Sequence, residues 1–227
     1  MNNKHFFDSF YNKPGLYYGN GIRPEFETFI KTLNSQEYFA LDLGCGEGRY
    51  SLYLSNLVKS VTSVDSSLVG INKLRTLVNK KKQNIIAICD DVNASKFPID
   101  KFDLVVMATL LDHLDKEEQQ NLMIKVYNSL KIGGRVYANV FTTHDPGYEK
   151  TRKKSFQNNS KISETSSAIK HYFEPSELKS LFMKFDILEY SEFIEEDISH
   201  GPVHNHGWAY IIAQKKSPGN GKGVCTS

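Results

Sequence analysis

The feature that constrains this chain most is a glycine-rich turn directly after an apolar run. Residues 39–49 read FALDLGCGEGR, so a hydrophobic segment leads through Asp42 to glycines at positions 44, 46 and 48. Glycine permits sharp backbone turns and lets a ligand approach without a Cβ in the way. In α/β proteins, a buried strand that leads through such a turn into a helix forms a nucleotide-sized pocket at the carboxyl end of the strand. We therefore expect a ligand site built around Asp42, Gly44 and Gly46.

The bulk composition allows this interpretation and restricts the alternatives. A chain of 227 residues can bury a full core as one domain, and a net charge of +2 provides no strong field for nucleic acid. The first residues lack the apolar core of a signal peptide, and no apolar run approaches membrane-spanning length. Three widely spaced cysteines suggest neither a disulfide framework nor a zinc site. We expect a cytoplasmic protein that binds neither nucleic acid nor membranes; its oligomeric state is left open.

Strand and helix signals alternate from Tyr38 to about Phe141, which is typical of a parallel sheet covered by helices. The predicted strands are residues 38–43, 60–64, 85–89, 102–108, 135–141, 185–194 and 208–214. The last two are separated only by a His-rich turn with Gly and Pro, so they must be antiparallel. A capping box formed by Asp115 and Glu118 predicts the start of a helix, and Gly133 and Gly134 predict its end.

Three parts of the chain are predicted from these signals. Residues 1–37 precede the fold and contain an aromatic-glycine segment, Tyr17-Tyr18-Gly19, which we expect to form a helical lid. Residues 38–216 are predicted to form the main domain, and the Gly/Ser-rich residues 217–227 a disordered tail. Within the main domain, residues 142–170 are polar without an apolar period. A stretch of this length in a compact domain is usually a lid or a binding loop.

A second acidic position fits a nucleoside ligand. Asp65, followed by Ser66, ends the second predicted strand, where a carboxylate can accept both ribose hydroxyls of a nucleoside lying over the glycine turn. We therefore expect both residues to contact the ligand. The dinucleotide fingerprint G-x-G-x-x-G requires glycine at position 49, where this chain has Arg49. This departure argues against a nicotinamide-dependent oxidoreductase.

The glycine pattern resembles motif I of class I S-adenosylmethionine (SAM) dependent methyltransferases. Further segments are similar to the tellurite-resistance methyltransferase family, strongly in the first half of residues 38–216 and loosely in the second. These segments are residues 41–46, 48–49, 51–54, 102–103, 111–114 and 173–178, the last followed by the strand segment FDILEY at residues 185–190. The resemblance implies an α/β, Rossmann-like fold: a mostly parallel seven-stranded sheet with an antiparallel C-terminal strand pair and helices on both faces. It also implies SAM as the cofactor.

The resemblance implies several cofactor contacts besides those derived above. An aspartate at the end of the third strand receives the adenine amino group, and the next backbone N–H meets a ring nitrogen. Asp91 and Val92 fit these roles best, although Asp90 and Asp91 could exchange theirs. The carbonyl of Ala108 holds the methionine ammonium group, and the segment containing Tyr18 folds over the cofactor.

Methyl transfer from a sulfonium is an in-line displacement in which the protein mainly holds the nucleophile and excludes water. A thiol, selenium or tellurium nucleophile needs no strong base, whereas an oxygen or nitrogen acceptor usually needs a general base, most often His. We predict a SAM-dependent methyltransferase acting on a small-molecule acceptor, with a soft nucleophile and a metabolite oxygen or nitrogen as alternatives. A non-catalytic SAM-binding protein and an RNA or protein methyltransferase are less favoured.

Several residues are candidates for the acceptor side because they follow strands at the carboxyl end of the sheet or precede the last helix. These catalytic candidates are His113, His144, His171 and Tyr172. The turn from His200 to His206 also contains His204, and alternate residues of a strand share one face. Two imidazoles on one face can bind a metal, but no third ligand stands at a suitable spacing. We therefore predict no metal site.

Overall fold

The computed structural model describes residues 3–81, 83–149, 171–197 and 204–217. The helices are α1 (Asn3–Tyr11), α2 (Pro24–Lys31), α3 (Arg49–Leu54), α4 (Leu68–Lys81), α5 (Lys116–Ser129) and α6 (Glu177–Leu181). The strands are β1 (Phe39–Leu43), β2 (Ser60–Asp65), β3 (Ile85–Cys89), β4 (Phe102–Ala108), β5 (Leu130–Phe141), β6 (Phe185–Asp197) and β7 (His204–Lys215). The alternation of strands and helices predicted from the sequence is thus present up to β5.

All seven strands form one sheet in the order β3-β2-β1-β4-β5-β7-β6. The first five are parallel, and β7 lies antiparallel between β5 and β6. The mixed fold expected from the sequence is therefore confirmed. Because β1 has β2 on one side and β4 on the other, the strand order reverses beside β1. Open α/β sheets bind ligands in the crevice at such a switch point, at the carboxyl ends of the strands.

Two apolar clusters cover the two faces of the sheet, which is why the central strands have almost no polar side chains. One cluster packs α5 and α6 against one face and includes Val105, Met107 and Leu122. The other packs α2, α3 and α4 against the opposite face and includes Phe26 and Tyr137, whose rings lie 4.8 Å apart. Both faces are thus sealed, and the carboxyl edge of the sheet is where the loops form a site.

The helix predicted after the capping box ends earlier than expected. Its last residue is Ser129, and β5 begins at Leu130, so the prediction that Gly133 and Gly134 end the helix is wrong. Gly133 has a φ of +75°, and the pairing of β4 with β5 shifts register between Phe102 and Leu104. The two glycines therefore form an irregular turn within β5, before the strand continues along β4.

Parts of the chain singled out in the sequence lie outside the described residues. These are most of the polar stretch 142–170, from residue 150 onward, the tail beyond residue 217, and His200. None of the described helices is long and apolar enough to cross a membrane.

Candidate functional site

A cavity of about 400 Å³ opens at the carboxyl ends of β1 to β4, where the strand order reverses. It is lined by residues of the glycine turn, of the loops after β2, β3 and β4, and of the N-terminal segment. The lining residues predicted from the sequence are Tyr18, Asp42, Gly44, Gly46, Asp65, Ser66, Asp91, Val92, Ala108 and His113. Residues that were predicted from five separate stretches of the chain therefore meet at one place.

The glycine loop, residues 44–48, bends over the end of β2. The amides of Gly44 and Cys45 both donate to the carbonyl of Val64, at 2.8 and 3.2 Å. The three glycines of the loop have φ values of +68°, +54° and +90°, which side chains other than glycine rarely adopt. A Cβ on Gly44 would stand 2.8 Å from Leu110 Cδ1, so a substitution there would strain the backbone and press on the loop after β4.

Asp65, at the end of β2, holds the glycine loop in place. Its Oδ2 accepts a hydrogen bond from the amide of Gly46 at 2.8 Å, and its Oδ1 accepts one from the amide of Ser67 at 2.7 Å. Burial raises the pKa of this carboxyl, while the two amide donors oppose that rise. A carboxylate has about four acceptor positions, so Asp65 can accept further hydrogen bonds from a ligand in the cavity.

Asp42 is a buried carboxyl on β1, with only 2% of its surface exposed. Its Oδ2 accepts a hydrogen bond from Ser51 Oγ at 2.5 Å, and Ser51 in turn contacts Ser63 Oγ at 2.7 Å. Burial raises the pKa of Asp42 to about 7, although the Ser51 hydroxyl opposes this rise. The cavity therefore has an acidic group beside the glycine loop that changes charge near neutral pH.

The two aspartates after β3 differ in how their oxygens are used. Asp90 Oδ1 accepts from the amide of Asp91 at 2.9 Å, and its Oδ2 accepts from Ser95 Oγ at 2.7 Å. Asp91 is exposed, and its Oδ1 accepts from the amide of Asn93 at 2.7 Å. Both aspartates line the cavity beside the buried Val92. Asp90 is exposed as well, but both of its oxygens hold the turn, whereas Asp91 uses one oxygen in this way.

The loop after β4 forms another wall of the cavity, and its Leu110 lies against Gly44 of the glycine turn. Ala108 is followed by Thr109, whose φ of +50° is uncommon for a residue other than glycine and marks a constrained backbone. His113 lines the cavity, and its ring meets Phe7 edge-on at 5.0 Å between centroids. The neighbouring Asp112 is fully buried, and its carbonyl accepts from the amide of His171 at 3.1 Å.

The N-terminal cover, residues 7–19, lies against the glycine loop and closes part of the cavity. Five of its residues line the cavity: Phe7, Tyr11, Leu16, Tyr18 and Gly19. A Cβ on Gly46 would stand 2.6 Å from the Tyr11 hydroxyl, so this tyrosine touches the backbone of the loop. Burial raises the pKa of Tyr11 well above its ordinary value, with nearby Asp65 adding to the rise, and the phenol is therefore neutral.

The other acceptor-side candidates lie on the loops after β5 and before α6, and they are not among the residues that line this cavity. His144 is exposed. His171 Nε2 is 2.9 Å from Glu177 Oε2, at the start of α6. The Tyr172 ring packs against that of Tyr148, with 5.6 Å between centroids. Whether these side chains contact a substrate stays a prediction.

The predicted His-rich turn is shorter than expected, because β7 already begins at His204 and His206 lies in that strand. His206 Nδ1 lies 2.6 Å from Oδ2 of the buried Asp145, and its ring packs against Phe141 and Trp208. Over the described ranges there is no group of three or more His, Cys, Asp or Glu side chains that could hold a metal ion.

Sequence reasoning missed several residues of the cavity wall. Tyr11 and Leu16 carry no motif, and Thr109 has no sequence signal for its left-handed backbone. Glu47, inside the glycine loop, is buried and accepts from the amide of Tyr17 at 2.6 Å. Acidic residues are usually exposed, so the burial of Glu47 indicates a specific contact. That burial is visible in the structure and cannot be recognised from the sequence.

Comparison with known proteins gives matches over the part of the chain that forms most of this cavity. Residues 40–134 match a family described as a methyltransferase domain. The probable SAM-dependent methyltransferase TehB of Haemophilus influenzae is 34% identical over 94 residues, which are 41% of this chain and 32% of that protein. Phosphoethanolamine N-methyltransferase 3 of Arabidopsis thaliana is 26% identical over 132 residues, which are 57% of this chain and 26% of that protein. The aligned part thus spans about a third or less of these relatives.

Solved structures extend the similarity of the fold to nearly the whole chain. The crystal structure of TehB from Haemophilus influenzae superposes with a TM-score of 0.69 at 24% identity, covering 94% of this chain and 67% of that one. A Haemonchus contortus phosphoethanolamine N-methyltransferase, in complex with phosphomonomethylethanolamine and S-adenosylhomocysteine, has a TM-score of 0.68 at 16% identity. It covers 96% of this chain and 61% of that one. The resemblance, the fold and the cofactor class expected from the sequence are therefore confirmed.

Proposed function

We propose that this chain, which carries a class I SAM-dependent methyltransferase core, transfers a methyl group from SAM to a small-molecule acceptor. The observation that carries the proposal is the convergence of the glycine loop, Asp65 and Asp91 around one cavity of about 400 Å³. That size lies within the range of small-ligand pockets. A strand-end carboxylate beside a glycine loop is the arrangement that binds a nucleoside.

The residues of the cavity have distinct roles in this proposal. SAM, when bound, supplies an electrophilic methyl group on a sulfonium. Asp65 accepts the ribose hydroxyls, Asp91 accepts the adenine amino group, and the amide of Val92 donates to the adenine ring. Asp42 attracts the cationic end of the cofactor, and the carbonyl of Ala108 accepts from its ammonium group. The N-terminal cover excludes water from the reacting atoms.

A soft nucleophile is the first candidate for the acceptor. Thiols and reduced selenium or tellurium species attack a sulfonium methyl group without a strong base, so the protein needs to supply only orientation and a dry cavity. The described cavity is compatible with this because its wall includes apolar and aromatic side chains, among them Phe7, Leu110 and Leu114. The resemblance of the sequence to the tellurite-resistance methyltransferase family supports the same choice.

A second candidate is an oxygen or nitrogen acceptor with His113 as the general base. Of the described residues lining the cavity, His113 is the only imidazole, and its edge-on contact with Phe7 orients the ring. An imidazole titrates near neutral pH, as general-base catalysis of such a transfer requires. The similarity to phosphoethanolamine N-methyltransferases supports this alternative.

The proposal is tested first by calorimetric titration with S-adenosylhomocysteine, with NAD titrated alongside. We expect micromolar binding of S-adenosylhomocysteine and none of NAD, because Arg49 stands where a dinucleotide site needs glycine. Protein that binds S-adenosylhomocysteine is then incubated with methyl-labelled SAM and a panel containing a thiol, tellurite with a reducing thiol, and phosphoethanolamine.

If the wild-type protein methylates a soft nucleophile and His113→Gln still does so, the first candidate is supported. If the wild-type protein methylates phosphoethanolamine and His113→Gln does not, the second is supported. A protein that binds neither S-adenosylhomocysteine nor NAD would contradict the proposal as a whole. Binding without turnover of any acceptor would favour a non-catalytic SAM-binding protein.

A further inference from the structure

A partly buried ion pair connects the N-terminal cover to the glycine loop. Lys73, on α4, places its Nζ 2.6 Å from Glu47 Oε1, and the Glu47 side chain is only 5% exposed. Glu47 lies between Gly46 and Gly48, so its carboxylate belongs to the loop that turns over the cavity. The Lys73 side chain is 27% exposed, so the pair is partly buried and is screened less by solvent than a fully exposed surface pair.

Both members of the Glu47–Lys73 pair also bind the backbone of the cover. Lys73 Nζ donates to the carbonyls of Lys13 at 2.5 Å and of Gly15 at 2.9 Å. Glu47 Oε2 accepts from the amide of Tyr17 at 2.6 Å. An ammonium group has three N–H donors, and here they meet three acceptors. The pair therefore binds the cover at three backbone positions within five residues of sequence.

The part of the cover that the Glu47–Lys73 pair contacts is neither helix nor strand. α1 ends at Tyr11, and residues 12–19 form turns rather than a helix or strand. Leu16 and Tyr18, which line the cavity, lie on these turns, and about half of the Tyr18 surface is exposed. The cover packs elsewhere through α1, where Ser67 Oγ donates to Asp8 Oδ1 at 2.5 Å. The turns beyond α1 thus depend on side chains of the main domain for their position.

We propose that Glu47 and Lys73 are positioning residues that hold residues 13–18 closed over the cofactor cavity and so control how fast the cofactor leaves. The inference rests on the proposed function, since it takes the cavity to bind SAM and S-adenosylhomocysteine. Because Glu47 is part of the glycine loop and also binds the cover, one carboxylate links both walls of the cavity. Release of residues 13–18 requires the loss of the Tyr17 amide bond and of the two Lys73 carbonyl bonds, together with the 3.5 Å contact of Arg49 Nη1 with the Tyr18 carbonyl.

The experiment compares Lys73→Met, which keeps most of the side-chain volume without the charge, with Glu47→Gln and with the charge-preserving Lys73→Arg. The matched control is Lys131→Met, since Lys131 pairs with Asp103 at 2.8 Å at the opposite end of the sheet. Two quantities are measured: amide hydrogen exchange in residues 13–18 without ligand, and the dissociation rate of S-adenosylhomocysteine by stopped flow.

We expect Lys73→Met and Glu47→Gln each to accelerate exchange in residues 13–18 and dissociation of S-adenosylhomocysteine by at least tenfold. In Lys73→Arg, which keeps the charge, the exchange rate and the dissociation rate should both stay close to the wild-type values. In Lys131→Met neither rate should change. The inference would be overturned if Lys73→Met and Glu47→Gln left amide exchange in residues 13–18 unchanged. It would also be overturned if they accelerated this exchange without accelerating dissociation of S-adenosylhomocysteine. If wild-type protein does not bind S-adenosylhomocysteine, the proposed function fails, while the exchange data still decide whether the pair holds the cover.

Discussion

A single carboxylate, Asp65, shows how one residue can order a loop and face a ligand. Its two oxygens each accept from one amide, of Gly46 and of Ser67, so this residue of the cavity wall keeps further acceptor capacity. The loop geometry and the proposed ribose contact therefore depend on the same side chain. A substitution at this position should affect both the stability of the protein and its affinity for the cofactor.

We expect Asp65→Ala to weaken binding of S-adenosylhomocysteine by about 1.5–3 kcal/mol, the scale for hydrogen bonds to a charged group. It should also lower the free energy of unfolding by about 1–3 kcal/mol, because two amides lose their acceptor. Calorimetric titration and urea unfolding of the same preparations measure the two effects.

Asp103 offers the matched control for Asp65. It also accepts from a backbone amide, that of Phe39 at 2.9 Å, but at the opposite end of the sheet. Asp103→Ala should therefore lower stability without changing the affinity. Equal affinity in Asp65→Ala and wild type would contradict the ribose role.

The position of Asp65 could be predicted from the sequence because a short apolar strand ends in one acidic residue. The contacts of Glu47 could not be predicted in this way. Glu47 is in the glycine loop, its partner Lys73 is on α4, and the amide it binds belongs to Tyr17, so no local spacing connects the three. Such contacts become visible only when the cover is placed on the glycine loop.

At the scale of elements, α5 begins as its sequence predicts. Asp115 Oδ1 accepts from the amide of Glu118 at 2.9 Å, and Glu118 Oε2 accepts from the amide of Asp115 at 2.8 Å. This capping box satisfies two amides that the first turn of a helix leaves without a partner. The signal is reliable because both halves of it lie within four consecutive residues.

We expect Asp115→Ala to lower the free energy of unfolding by about 1 kcal/mol, the usual cost of losing an N-cap side chain. Asp115→Ser should retain most of the wild-type stability, since a serine hydroxyl can accept from the same amide. Urea unfolding of the three proteins measures the difference. Asp115→Ala and Asp115→Ser variants of equal stability would show that the cap contributes nothing.

The end of the same helix shows where local signals fail. A glycine pair usually follows the last turn of a helix, yet Gly133 and Gly134 lie within β5. The reason is tertiary, because pairing with β4 begins at Leu130 and resumes at Arg135, and the glycines form the turn between. Strand pairing over a long sequence separation cannot be predicted from the residues of one segment alone.

At the scale of the whole molecule, acidic groups gather at the carboxyl edge of the sheet. Asp42, Asp65 and Asp112 are all in or beside the cavity, and burial raises the pKa of each. Desolvation of these charges opposes folding, in Asp65 against the gain from its two amide donors, and a sulfonium or ammonium group in the cavity would compensate it. Burial of these carboxylates thus lowers the stability of the protein without ligand, and binding of a positively charged cofactor would offset that loss.

The pH dependence of stability follows from Asp42, whose pKa rises from 3.8 to about 7 on folding. Below about pH 4 the Asp42 carboxyl is protonated in both the folded and the unfolded chain, so its burial as a charge does not lower the free energy of unfolding there. Between about pH 4 and 7 only the unfolded chain loses the proton, so this contribution to stability falls as the pH rises and is constant above 7.

We therefore expect Asp42→Asn, compared with wild type by urea unfolding, to gain relative stability between pH 5 and pH 8. The difference in unfolding free energy should change by about 2–4 kcal/mol in favour of the variant, since each pKa unit corresponds to about 1.36 kcal/mol. Contributions from other carboxyls largely cancel, because both proteins contain them. A difference independent of pH would show that Asp42 keeps an ordinary pKa in the folded protein. Its charge would then be present throughout this range, and it could not make cofactor affinity depend on pH near neutrality.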